Sequence, residues 1–177
     1  INPVVGECSD MYLNDMQGRH VREEHVLAAI DSASGGAVEE GAVGAGTGMT
    51  VFGFKGGIGT SSRVTPEALG GWTVGVLVLA NYGRREQLRI DGVPVGEVLG
   101  RESGLGNRES RSSAGDPEPR PPIPESRDDT ERGSIMMIVA TDAPLLDRGL
   151  RRMARGGGIG LGGTGSIGWN GSGELVF

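Results

Sequence analysis

ERGSIMMIVATDAPLL, residues 131–146, is the stretch on which the reading of this chain turns. A polar tract runs straight into Gly133-Ser134, and the apolar run 135–140 follows with no turn between, predicting a fully buried strand. A serine at that junction either starts the strand or marks a bond the chain is built to cut. A serine hydroxyl is a weak nucleophile without a base beside it. If the serine becomes an N-terminus, its own α-amine, with a pKa of about 7.7–8.0, can accept the proton. Making that terminus requires the hydroxyl to attack the preceding carbonyl, and glycine tolerates the strained backbone involved. On the residues alone both readings stand, and the plain strand start is the commoner one.

Working outward, residues 101–133 hold five of the nine prolines, six arginines and eight acids, with almost no large apolar side chain. Such a tract cannot bury enough surface to offset its ordering entropy, so a mobile linker is expected there. Upstream, 72–80 is rich in Val and Leu and bounded by Gly and Asn, predicting a central strand. QLRIDGVPVG (87–96) reads as a hairpin turning at Asp91-Gly92. Apolar positions at helical spacing predict a helix over 22–34, ended by Gly35-Gly36. Short β-prone pieces lie within 49–54. Downstream, 145–154 has helical spacing, but GGGIGLGG behind it is hostile to a helix, each interior Gly costing about 1 kcal/mol relative to Ala. Residues 174–177 read as a further strand. Strands, helices and one long linker predict a mixed α/β or α+β domain.

The chain has 177 residues, so a single domain is the default. Glycine supplies 34 of them without a collagen period, which implies many tight turns. The net charge of −6 and the absence of a basic stripe argue against nucleic acid as a partner. No apolar run is long enough to span a bilayer, so no membrane partner is expected. One cysteine, Cys8, excludes an internal disulfide framework. The chain opens INPVVGE and closes GELVF, both ends reading as cut through structure. It is therefore expected to be an internal fragment of a cytoplasmic protein, any export signal lying upstream.

Other motifs point nowhere. GGIGTSS (56–62) lacks the Lys before Ser/Thr that a phosphate loop needs, its Lys55 preceding the glycines. GTGSIG (163–168) fits a dinucleotide pattern, yet no strand leads in and no helix leaves. His20 and His25 are five apart, which points them away from each other on a helix, so neither metal nor cofactor is expected.

Five blocks in order carry a resemblance: PVVGECSDMYLND, EEGAVGAGTGMTVFGFKGGIGTSSRV, VGVLVLANYGRREQLRIDGVPVG, GSIMMIVATDAPLL and NGSGELVF. Together they resemble the L-aminopeptidase/D-esterase family, which includes D-aminopeptidases and β-peptidyl aminopeptidases. The resemblance implies an α+β fold, a layered α/β/β/α sandwich similar to N-terminal-nucleophile hydrolases and incomplete here. It implies cleavage at Gly133-Ser134, with 1–133 the end of a larger subunit and 134–177 the start of a smaller one. By the same resemblance Ser134 is the nucleophile and Asn81 donates its side-chain amide to the oxyanion. Ser172 and Glu174 hold and polarise the nucleophile, and Glu7 binds the substrate's ammonium. Substrates would be short peptides, amides or esters with a free amino end, handled by a homo-oligomer of processed two-chain protomers. The family commonly carries an aromatic where this chain has Ser9. That departure and the glycine-rich helix motivate an alternative, an inactive relative serving as a binding or structural subunit. An acyltransferase of similar fold ranks lower, because such enzymes typically cut before threonine.

Overall fold

The structure, a computed structural model, describes residues 5–102, 133–168 and 174–176. A small hairpin of β1 (Thr50–Val51) and β2 (Phe54–Lys55) precedes a four-stranded sheet. That sheet has the order β3 (Gly57–Val64), β4 (Thr73–Asn81), β5 (Ser134–Thr141) and β6 (Glu174–Val176). The first three strands are antiparallel, and β6 runs parallel to β5 with Glu174 opposite Ile135. Among the described residues three α-helices accompany them: α1 (Glu23–Asp31), α2 (Val95–Glu102) and α3 (Asp147–Gly163). The result is an α+β fold, as expected.

β5 alternates, and the alternation sorts the molecule. Ile135 and Met137 are buried and pack with Leu161 of α3, joined by Val78 and Tyr82. Side chains along a strand point to opposite faces in turn, so Ser134 and Met136 share the other face. The strand is thus not buried on both sides as expected: Ile138 is exposed and Val139 only half-buried. On the Ser134 side, Gly6 lies against the Met136 side chain.

Two further expectations need correcting. Asp91 and Gly92 do turn the chain, with φ of 50° and 77°, but only the isolated bridge Ile90–Val93 closes over them. No hairpin strand follows, because α2 starts at Val95. Its last residues, 101–102, take the start of the expected linker, while 103–132 lie outside the described residues. The helix expected to stop at 154 runs on to Gly163 through six glycines. Packing overrides propensity here. Leu161 is buried in the core, and the helix end is tied down at Thr164. Thr164 meets the Tyr82 hydroxyl at 3.1 Å and its carbonyl accepts the Arg89 N–H at 2.9 Å. The remaining elements fall close to expectation: α1 within 22–34, β4 one residue along from 72–80, and β6 within 174–177.

Because Ile135 is 2% exposed at the centre of this cluster, Ile135→Ala should cost about 3 kcal/mol and Ile135→Val about 1 kcal/mol. Urea unfolding checks both, and equal, negligible losses would show that the β5–α3 contact is not the core.

Candidate active site

Strand pairing builds the site. In the β4–β5 ladder Asn81, the last residue of β4, stands opposite Ser134, the first of β5. Directly opposed residues bring their side chains to one face about 5 Å apart. The expected nucleophile and the expected oxyanion donor are therefore neighbours, although 53 positions separate them in the sequence.

Residues 8–9 lie over this pair. The Ser9 N–H donates to Ser134 Oγ at 3.0 Å, while the Ser9 carbonyl accepts from Asn81 Nδ2 at 2.5 Å. One residue's main chain thus bridges the two side chains. The Cys8 Sγ sits 3.1 Å from Ser134 Oγ and 3.2 Å from the Ser134 carbonyl. Burial pushes the Cys8 thiol pKa up; the Ser134 contact offsets part of this, and Glu7 and Asp10 add to the rise. At neutral pH the sulfur stays a protonated thiol, a weak donor rather than a competing thiolate.

Asn81 is oriented from its other side. Thr50 gives its backbone N–H to Asn81 Oδ1 at 3.0 Å, with its hydroxyl at 3.4 Å from the same oxygen. A backbone N–H can only donate, so the contact assigns oxygen to Thr50 and nitrogen to the Ser9 carbonyl.

Gly133 is held by space rather than by conformation. A Cβ there would lie 2.9 Å from Tyr82 Cβ, 3.0 Å from Tyr82 Cα and 3.1 Å from the Asn81 carbonyl oxygen. Only glycine lets the residue before Ser134 approach the end of β4 so closely. Tyr82 is itself fixed: its ring meets Phe52 edge-on at 5.1 Å, and its carbonyl accepts the Phe52 N–H at 2.8 Å.

Of the other expected site residues, Glu7 is exposed and one position from Cys8. Glu174 reaches the sheet beside Ile135, one residue from Ser134 in register. Ser172 lies outside the described residues. The structure therefore brings Ser134 and Asn81 together and carries the Glu7 and Glu174 backbones to their vicinity. Sequence reasoning missed Thr50, Cys8 and the main chain of Ser9. Backbone donors leave no residue-type signal, and only Cys8, beside Glu7 in the first block, could have been marked.

The other motifs are placed as follows. GGIGTSS is almost wholly strand β3, paired to β4, and GTGSIG begins at the last residue of α3. His25 Nδ1 accepts the Arg22 N–H at 3.0 Å, closing the first turn of α1, and His20 lies 3.8 Å from Asp15. Among the described residues no cluster of three metal-ligating side chains occurs, and no helix is long and apolar enough to cross a membrane. The broad groove along Val38, Ser61, Arg63, Leu77 and Ile138 lies on the middle of the sheet, away from the Ser134 end.

Comparison with known proteins identifies the family and the fold. The family model for peptidase family S58 matches residues 1–177. The β-peptidyl aminopeptidase BapA of Sphingosinicella microcystinivorans is 44% identical over 98% of this chain, and that of Sphingosinicella xenopeptidilytica 44% over 99%. The chain spans only 42% and 41% of those proteins. Among solved structures, the PH0078 protein of Pyrococcus horikoshii OT3 superposes with a TM-score of 0.77 at 47% identity, covering 99% of this chain and 42% of its own. A Burkholderia sp. β-aminopeptidase gives 0.73 at 42%, covering 94% and 40%. The L-aminopeptidase D-Ala-esterase/amidase of Ochrobactrum anthropi, described as a prototype serine aminopeptidase and a variant of the Ntn hydrolase fold, gives 0.71 at 41%, covering 93% and 39%. The family model spans the whole chain and the relatives agree with it: this chain belongs to peptidase family S58.

Proposed function

We propose that the chain is part of a self-cleaving serine aminopeptidase, which cuts its own Gly133-Ser134 bond and then works through an acyl-enzyme on Ser134. The observation that carries this reading is the single cluster of Ser134, Asn81 and the Ser9 main chain behind a glycine where a Cβ would force its neighbours to shift. Ser134 Oγ attacks the Gly133 carbonyl while the Asn81 side-chain amide stabilises the negative oxygen that develops. Such a donor is worth roughly 3 kcal/mol in a transition state. The Gly133–Ser134 C–N bond then breaks, the hydroxyl proton passes to the departing nitrogen, and water hydrolyses the Gly133 ester left on Ser134 Oγ. After the cut, 1–133 ends the larger subunit and 134–177 opens the smaller. The eight paired residues of β5 keep the two joined through β4 without a covalent link.

In turnover, the new α-amine of Ser134 takes the hydroxyl proton, the hydroxyl attacks the substrate carbonyl, and the amine passes the proton to the leaving group. Water then frees the acyl-enzyme. Glu174 and Ser172 hold and polarise the nucleophile and its amine. Glu7 receives the substrate's free ammonium, since a blocked amino end would leave that carboxylate unpaired. The substrates are short peptides, amides or esters with a free amino end; the BapA and L-aminopeptidase relatives favour this class. We further propose a cytoplasmic homo-oligomer of processed two-chain protomers, which cell fractionation and size-exclusion chromatography check.

Two observations favour the active reading: Ser9 contributes through its main chain, which any residue but proline supplies, and the glycine-rich helix forms with its end anchored. Burial pushes the Cys8 thiol pKa up, which disfavours the thiolate form that would compete with Ser134.

For the full-length protein, Ser134→Ala should abolish hydrolysis of aminoacyl anilides, and N-acetylated anilides should be poor substrates of the unaltered enzyme. Hydrolysis by the Ser134→Ala protein would refute the nucleophile assignment. Gly133→Ala forces a shift costing about 1–3 kcal/mol, so processing, followed on gels, should slow about tenfold to a hundredfold. Processing at the original rate would mean that the close approach to Tyr82 does not matter. At about pH 8, Cys8 in the native protein should react with iodoacetamide more slowly than in the urea-unfolded chain, its thiolate being suppressed. Equal rates would contradict the raised pKa.

A further inference from the structure

Lys55, which precedes the glycines of 56–62, is held by the main chain around it. Its ammonium donates to the carbonyls of Gly46 at 2.8 Å, Met49 at 2.9 Å and Gly56 at 2.9 Å. An ammonium has three hydrogens, and here each has a carbonyl. Three carbonyl dipoles converging on one point repel one another, and a cation at the focus turns that repulsion into attraction.

The Met49 carbonyl belongs to the same peptide unit as the Thr50 N–H. Lys55 therefore grips one end of a planar group whose other end grips Asn81 Oδ1. Peptide planarity transmits the orientation, and a cation on the carbonyl polarises the N–H into a stronger donor. The Gly56 N–H, at 2.8 Å from the Met49 carbonyl, adds to the same polarisation. The pairing of Thr50 with Lys55 across β1–β2 brings the ammonium to this point.

We propose that Lys55 is a positioning residue for Asn81: through the Met49–Thr50 peptide it fixes which way the Asn81 amide faces, and so aims Nδ2 at the reacting oxygen. This rests on Asn81 being the oxyanion donor. Loss of the ammonium lets the peptide tilt and Asn81 rotate, which lowers the rate of the chemical step without removing any contact to substrate.

The test is a double-mutant cycle in the full-length enzyme, with kcat and KM for an aminoacyl anilide measured per mole of processed protein. Lys55→Met should lower kcat about tenfold to a hundredfold, as for small misplacements of a reacting group, and leave KM within about twofold. In an Asn81→Ala background the same change should cost nothing more. Lys55→Gln keeps two donors and should fall between, and it carries the cycle if Lys55→Met does not fold. An equal loss of kcat in both backgrounds, or no loss in either, overturns the proposal. Unchanged kcat in Asn81→Ala alone overturns the oxyanion assignment instead, which separates the two failures.

Discussion

The antiparallel pairing of β4 with β5 is the constraint on which the rest of this structure depends. It sets Asn81 opposite Ser134 at the sheet's end, and it does so by main-chain hydrogen bonds that no side chain need specify. The alternation of β5 then turns Ile135 and Met137 to the core and Ser134 to the opposite face. Further contacts secure that end of the ladder. The β1–β2 hairpin fixes the Asn81 amide and the Tyr82 carbonyl, and residues 8–9 close over the top. The same pairing explains how a bond at Gly133-Ser134 can be broken without the sheet coming apart.

Much of this was legible in the sequence because it lies in residue types. The Val/Leu run of β4, the abrupt start of β5 and the Gly-Ser pair are patterns of hydrophobicity and turn chemistry. The role expected for Asn81 came from the ordered blocks, and strand register then set it beside Ser134. What was not legible lies in the main chain. Ser9 looked like a missing aromatic, yet its N–H and carbonyl make the contacts. Thr50 and Lys55 work through one peptide unit, for which no spacing rule exists.

The glycines misled in one place and informed in another. In α3 they argued for a break at 154, but Leu161 docks in the core and Thr164 is held by Tyr82 and Arg89, so the helix continues. At Gly133 the sequence suggested conformational freedom, whereas the structure gives a different reason: there is no room for a Cβ against Tyr82 and the Asn81 carbonyl. A close approach of this kind is invisible until the partner strand is known.

Whether the cluster around Ser134 cuts the bond before it is tested most directly by intact-mass spectrometry of the purified full-length protein. Two polypeptides whose masses meet between Gly133 and Ser134 are expected; a single uncut chain that leaves aminoacyl anilides intact would contradict the proposed self-cleavage.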